Sequence, residues 1–278
     1  IAPECAVISN STAADSLVTG GSATMTSAAF CSVGGATGSG FTPKAKTNCP
    51  AVADPYADMY TQSALASQGL NVPGACNYNS MLRVKNNTTI NAGGSVVTFC
   101  GGLNVGTGAA LTLGAGVYVV FNTLTVNSNS TLNATQGATI ILGNSNWMTG
   151  VKDGSIYVFG GGNFLLTAPK SGPTASMAVI QPSVSFYTGG TTWANEHTLI
   201  GGGTIDIVGN WYTPQSKVRI TGNGEINANS AYFSLVSDFV ELEGNGVLRI
   251  KAGGDPTLVG MAGVPGQTAS GSHVSLVE

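Results

Sequence analysis

The chain has 278 residues, of which 10 are basic, 13 are acidic and 40 are glycine. Average glycine usage is about 7%, and each interior glycine costs a helix about 1 kcal/mol relative to alanine, so a mostly helical protein is disfavoured. The net charge of -3 comes without a cluster of Lys or Arg. Nucleic-acid binding is therefore excluded, because phosphate contacts supply most of that affinity.

Apolar runs such as Val117–Phe121 are far shorter than the roughly 20 residues needed to span a bilayer. The first ten residues, IAPECAVISN, lack the basic start and apolar stretch of a signal peptide. We therefore expect any signal or membrane anchor to have been removed or to lie upstream of Ile1.

Five cysteines lie between Cys5 and Cys100, and none forms the C-x-x-C pair that is typical of zinc sites. We predict disulfides between Cys5 and Cys31 and between Cys76 and Cys100. Each pair closes a loop of about 25 residues, which is expected to stabilise the fold by roughly 3 kcal/mol. Cys49 is left over. Disulfides predict an oxidising compartment, either the periplasm, the outer surface or the cell exterior.

Short apolar alternations recur from residue 81 onward. Leu103–Val105 recurs as Leu124–Val126, and Ala110–Leu113 recurs as Ser130–Asn133. Gly, Asn or Ser marks each corner between these segments. The pattern predicts an all-β fold, a single-stranded parallel β-helix (β-solenoid) in which inward side chains stack from turn to turn. We expect a right-handed coil, although the pattern alone does not fix the hand. A β-sandwich with antiparallel pairing is the alternative.

One domain of four segments is predicted. Residues 1–33 form the first turn, and residues 34–80 form an excursion over one end or side. This excursion contains a short helix with Asp54 as N-cap and Pro55 at its first position, running toward Gly69. Residues 81–252 form the repeated turns, and residues 253–278 form a C-terminal cap. Uncapped solenoid ends expose strand edges, which predicts a homo-oligomer joined through those ends.

Acidic residues are the first candidates for chemistry, because glycoside hydrolysis uses two carboxylates about 5 to 9.5 Å apart. Glu241 and Glu243 alternate on one strand face at about 7 Å, with Asp238 nearby. The preferred interpretation is a solvated strand face, with Asp206 an outward residue of the same kind. No catalytic, metal-binding or cofactor-binding residue is predicted.

Two further groups of residues are candidates for binding. Glu196–His197 and His273 lack the H-E-x-x-H spacing of a metal site, so His197 is expected in a surface loop. An alternative function, carbohydrate-binding or carbohydrate-active β-helix protein, would use a sugar-stacking platform. Its predicted glycan-contact residues are Trp193, Trp211 and Tyr212.

Two segments carry a resemblance to a known family. Phe99–Val105 (FCGGLNV) and Leu111–Val120 (LTLGAGVYVV) resemble the "YCGGL-x-(I/V) … L-x-PGVY" signature of TadG-like pilus-assembly proteins of bacterial tight-adherence pili. Further segments fall in the same order as in that family, namely Cys5–Ile8, Phe30–Val33, Asp54–Asp58, Cys76 and Val274–Glu278. Ala115 replaces the usual Pro, and Asn10–Thr12 follows the first cysteine less typically.

The resemblance implies a non-enzymatic protein of the bacterial cell envelope or surface. Its exported domain would follow a single N-terminal membrane helix, and its role would be assembly, anchoring or adhesion of the pili. The expected partners are pilus or envelope proteins of that system. The family has no catalytic residues to carry over. A self-assembling surface filament subunit is the remaining alternative.

Overall fold

The computed structural model describes residues 2–51, 54, 56, 60–72, 75–182, 195–226, 233–248 and 273–276. The strands, in chain order, are β1 (Ala2–Ser9), β2 (Leu17–Val18), β3 (Met25–Ser32), β4 (Ala36–Thr37), β5 (Phe41–Thr42), β6 (Leu82–Val84), β7 (Thr88–Ile90), β8 (Val96–Phe99), β9 (Leu103–Val105), β10 (Ala110–Leu113), β11 (Gly116–Val120), β12 (Thr123–Val126), β13 (Thr131–Ala134), β14 (Ala138–Leu142), β15 (Ser155–Phe159), β16 (Asn163–Thr167), β17 (Met177–Ile180), β18 (Asn195–Ile200), β19 (Thr204–Thr221), β20 (Glu225–Ile226), β21 (Phe233–Leu242), β22 (Val247–Leu248) and β23 (His273–Leu276). The helices are α1 (Gln62–Ser67) and a 3₁₀ turn at Ser145–Trp147.

Every strand pairing among the described residues is parallel. Strands inside the stack pair with one strand on the coil before and one on the coil after, as β12 does with β9 and β15, so the chain winds into a stack. The predicted parallel β-helix is confirmed. The β-sandwich alternative is wrong, since such short strands bury their inward side chains by stacking coil on coil rather than by forming antiparallel hairpins.

The stack has three faces, which we call the ladder face, the polar face and the strap face. The ladder face consists of β6, β9, β12, β15, β18, residues 216–221 of β19 and residues 239–242 of β21. The polar face consists of β7, β10, β13, β16, residues 204–208 of β19, β20 and β22. The strap face consists of β8, β11, β14, β17, residues 210–213 of β19, residues 233–237 of β21, β23, β1 and residues 29–32 of β3.

Alternation along each strand fills the interior. Leu103 pairs with Leu124 and Val105 with Val126, which confirms the predicted repeat, and all four side chains are fully buried. Ala110 pairs with Thr131 rather than with Ser130. The polar face is therefore shifted by one position from the predicted alignment, because a register slip of one would turn the apolar side chains outward.

Glycine is required at the corner between β8 and β9. Gly102 has a φ of +96°, which is costly for any residue with a Cβ. A Cβ at this position would also lie 2.8 Å from the carbonyl oxygen of Thr123 on the next coil. The chain can therefore turn here and stack closely only with glycine.

The N-terminal segment, residues 2–49, lies at the opposite end of the stack from the coil that begins at β6. β1 pairs with β23 through Val7 and Val274, and with β3 through Val7 and Phe30. The prediction that residues 1–33 form the first turn is wrong, because these residues continue the stack beyond the last strand of the chain. We call this the far end, and we call the coil of β6, β7 and β8 the near end.

A strap connects the two ends along the outside of the strap face, and its described residues are 50–51, 54, 56, 60–72 and 75. Its described apolar side chains, Tyr56, Tyr60, Leu65, Leu70 and Val72, pack on outward residues of that face, including Val119, Ile141, Ile180 and Tyr212. The excursion therefore covers a side of the solenoid, one of the two predicted placements. It reaches from end to end because residues 49 and 76 belong to coils at opposite ends.

The helix in the strap is shorter than predicted. α1 begins at Gln62, and its N-cap is Thr61, whose hydroxyl accepts a hydrogen bond from the Ala64 backbone N–H at 3.1 Å. Asp54 does not cap it. One Asp54 carboxylate oxygen accepts from the Tyr56 backbone N–H at 2.9 Å, and the other accepts from the Tyr212 hydroxyl at 2.9 Å. Burial, with a smaller effect of Asp54, raises the pKa of Tyr56 to about 12.

Two disulfides hold the strap at its ends. Cys76 is bonded to Cys100, as predicted, but Cys31 is bonded to Cys49 and not to Cys5. The reason is the extra coil of the N-terminal segment, in which Lys46 bridges to Cys31 and the Cys49 N–H donates to the Ser32 carbonyl. Cys49 is thereby brought to a Cα–Cα distance of 5.8 Å from Cys31. Two disulfides indicate an oxidising, non-cytoplasmic compartment.

Removing the disulfide at the near end should lower the free energy of unfolding. For the double variant Cys76→Ser/Cys100→Ser we expect a loss of about 3 kcal/mol, because the bond closes a loop of 24 residues in the unfolded chain. Urea unfolding followed by circular dichroism measures it. Cys5→Ser is the matched control and should leave both disulfides intact in a mass map. A Cys5–Cys31 peptide in the mass map of the wild type would contradict the pairing.

The C-terminal cap predicted for residues 253–278 lies outside the described residues apart from β23. That strand is internal, since it pairs with β21 on one side and with β1 on the other. In the parts of the chain that the structure describes, no helix is both long enough and apolar enough to cross a bilayer.

Candidate functional site: the ladder face

One outward column runs the length of the ladder face. Its members, in order from the near end, are Arg83, Asn104, Thr125, Tyr157, Thr198, Arg219 and Glu241. Period-two alternation places all of them outward, because the residues on either side of each belong to the interior columns. The column begins with a cation at the near end and finishes with a carboxylate on the last coil of this face.

Five charged side chains form an ion-pair cluster over the last three coils of this face. Lys217 Nζ lies 2.5 Å from a carboxylate oxygen of Glu241 and 3.8 Å from one of Glu196. Arg219 lies 3.1 Å from Glu241, 2.6 Å from Glu243 and 3.8 Å from Glu196. The hydrogen bond to Glu243 raises the pKa of Arg219. Three carboxylates against two cations leave the cluster one negative charge in excess.

The cluster changes the interpretation of Glu241 and Glu243. They alternate on one strand face as predicted, but each is bound to a cation on the preceding coil rather than simply solvated. The spacing of the corners in the sequence was enough to predict which cation lies beside Glu241. Gly-Asn-Gly recurs at 222–224 and 244–246, and the same shift along the chain places Arg219 beside Glu241. Lys217 and Arg219 are the residues that sequence reasoning missed.

The near end of the same face is basic. Arg83 and Lys85 are both exposed, and the sequence from residue 60 to residue 151 contains no Asp or Glu. The charge of the ladder face therefore changes along the solenoid axis. It is positive at the near end and has excess negative charge at the last coils of the face.

Aromatic side chains occupy the middle of the face. The rings of Tyr157 and Phe159 are parallel to within 5°, with centroids 6.0 Å apart. Phe159 pairs with Ile200 on the next coil, and Ile200 is 39% exposed. These three side chains form a small, partly exposed apolar group between the charged ends of the face.

The predicted sugar-stacking platform is wrong for two of its three residues. Trp211 and Tyr212 are each 1% exposed. Trp211 points into the interior column between Val179 and Leu235, and Tyr212 points outward but is covered by the strap. A strand segment whose outer side is also covered can bury both of two consecutive aromatics. Trp193 lies outside the described residues.

The prediction that His197 lies in a surface loop is wrong. His197 lies in β18, with its side chain in the interior. It pairs with Val218 in a column that is otherwise aliphatic, and it is 1% exposed. Its Nδ1 accepts from the Ile156 backbone N–H at 3.2 Å, and its Nε2 lies 3.4 Å from Gln181 Oε1. Burial lowers the pKa of His197 to about 3.

A buried polar corner surrounds this histidine, where the strap face meets the ladder face. Gln181 Oε1 accepts from the Ser216 hydroxyl, and Gln181 Nε2 donates to the Gly154 carbonyl at 3.2 Å. The Ser237 hydroxyl donates to the Ser216 carbonyl at 2.6 Å on the next coil. These contacts satisfy polar groups at the bend in the chain, so the corner is structural. The side chain of His273 lies outside the described residues.

Comparison with known proteins found no matching family model, no matching curated protein and no matching solved structure. The resemblance to TadG-like proteins therefore stays a prediction from the sequence.

Proposed function

We propose that this chain is a non-catalytic structural protein of the bacterial cell envelope or surface, acting in assembly, anchoring or adhesion of tight-adherence pili. The observation that carries the non-catalytic part is the ion-pair cluster. Glu241 and Glu243, the carboxylates best spaced for glycoside hydrolysis, are held by Lys217 and Arg219. Such contacts cross-link neighbouring coils, which is a structural use of charge.

The construction of the stack supports the same proposal. The strap braces the solenoid from end to end and is closed by a disulfide at each end. The segments that resemble the pilus-assembly signature form the corner from β8 to β9 and strands β10 and β11, next to the Cys76–Cys100 bond. A rigid rod of this kind suits a scaffold, and pilus or envelope proteins of the tight-adherence system are its proposed partners.

Deletion of the gene in its source bacterium tests this function. We expect loss of thin pili in electron micrographs and loss of attachment to a surface. Complementation with the wild-type gene and with Glu243→Gln should both restore attachment, since no hydrolysis is involved. Normal piliation in the deletion strain would overturn the proposal, and release of reducing ends from acidic polysaccharides by the wild type but not by Glu243→Gln would overturn its non-catalytic part.

A further inference from the structure

We infer that the ladder face binds the ladder face of a second copy of this chain, in a closed two-fold dimer with antiparallel solenoid axes. This inference goes beyond the proposed envelope role. It concerns the purified protein, so its failure is distinguishable from a failure of the pilus assay.

The outward column is self-complementary when it is reversed. Tyr157 is the fourth of its seven members, so a two-fold axis parallel to the strands and passing over Tyr157 brings the first member opposite the seventh. Arg83 then faces Glu241 of the second copy, and Thr125 faces Thr198. Coils are spaced by about 4.8 Å, so both charged residues lie about 14 Å from the axis and meet in register.

The neighbouring column repeats this complementarity. Lys85 follows Arg83 by two residues along the chain, and Glu243 follows Glu241 by two residues. Backbone hydrogen bonds keep the register there, from Gly106 N–H to Val84 O and from Glu243 N–H to Ile220 O. Reversal therefore places Lys85 opposite Glu243 of the second copy. With both symmetry copies counted, four opposite-charge contacts form at the two ends of the interface. Phe159 faces its own copy near the axis, beside Tyr157.

Charge favours this arrangement over joining through the solenoid ends. The near end carries Arg83 and Lys85, whereas the far end carries Lys44 and Lys46 together with Asp15, all exposed. An end-to-end stack therefore gains little from charge, whereas the reversed faces pair the basic near end with the cluster that has excess negative charge. Complementary potentials of this kind set specificity and register.

The size of the face predicts a weak dimer. Seven coils, each presenting a short strand, measure roughly 29 Å by 16 Å, so two copies bury on the order of 1,000 Å², at the lower limit for specific interfaces. The dimer should therefore depend on concentration and on salt, because its outer contacts are exposed ion pairs.

Sedimentation velocity on the full chain at low ionic strength tests the inference. Wild-type protein should form a species of twice the chain mass, with no larger assembly. Lys85→Glu should weaken the dimer at least tenfold, since it places two like-charge pairs in the interface. Lys170→Glu is the matched control, because Lys170 is an exposed lysine outside the ladder face, and it should dimerise like the wild type.

A charge-swap mixture gives the decisive comparison. Lys85→Glu alone brings a new carboxylate against Glu243 of the second copy, and Glu243→Lys alone brings a new ammonium group against Lys85, so each variant should be mainly monomeric. An equimolar mixture of the two variants can form a heterodimer. One of its two contacts at these positions then joins the two introduced side chains, and the other joins the two native ones, so both are opposite in charge and the mixture should dimerise.

Circular dichroism of each variant confirms that it is folded. A mixture that stays monomeric while the wild type dimerises would overturn the inference, as would a wild type that is monomeric at about 100 μM.

The two-fold axis has its own test. In a Cys5→Ser background, Tyr157→Cys should be joined to its own copy by a thiol-specific cross-linker about 10 Å long, since position 157 faces itself across two packed sheets, whereas Thr131→Cys on the polar face should not. If a glycan array instead shows binding that Tyr157→Ala abolishes, and no dimer forms, the face belongs to a carbohydrate and the inference is wrong.

Discussion

Lowering the pH from 7 to 3.5 is expected to remove about 4 kcal/mol from the free energy of unfolding through His197 alone. The native pKa of His197 is lowered to about 3 by burial, whereas an unfolded histidine titrates near 6.5. Between these values the unfolded chain binds a proton that the folded chain does not. The contribution is therefore fully present above about pH 6.5 and is lost as the pH falls, by about 1.4 kcal/mol per unit.

Urea unfolding of the wild type and of His197→Leu at a series of pH values measures this effect. The other ionisable groups are the same in both proteins, so the difference between the two slopes isolates His197. Leucine suits the column, which is aliphatic on both sides of this position. Parallel slopes for the two proteins between pH 6 and pH 4 would show that His197 is not buried in the neutral form.

Replacing Leu124 with alanine is expected to cost roughly 2 to 5 kcal/mol. Leu124 is fully buried and pairs with Leu103 on one coil and with Ile156 on the next. A stack of short strands cannot collapse around a void at one level without breaking the hydrogen bonds to its neighbours, so the cavity should persist.

Thr125→Ala is the matched control for this cavity. Thr125 is the next residue of the same strand and points outward on the ladder face, so its truncation should cost less than about 1 kcal/mol. Thermal and urea unfolding provide the comparison. Equal losses for the two variants would mean that the inward and outward assignment of β12 is wrong.

The candidate site could be predicted only in part. The alternation of Glu241 and Glu243 is visible in the sequence, and the spacing of the two Gly-Asn-Gly corners is enough to place Arg219 beside Glu241. The burial of Trp211 and Tyr212 is not visible in the same way. Their strand looks like any other, and what covers Tyr212 is the strap, which comes from a distant, earlier part of the chain.

Repetition in the sequence by itself determined the parallel β-helix, its inward and outward alternation and its glycine corners. These features depend on contacts between one coil and the next, about 20 residues apart, and a periodic chain encodes such contacts locally. Only the tertiary structure decided that the N-terminal segment continues the stack beyond β23, that Cys31 therefore pairs with Cys49, and that the strap covers one face. Those features follow from contacts between segments that are far apart in the sequence. No local sequence pattern shows which of several similar apolar strands a given strand will pair with.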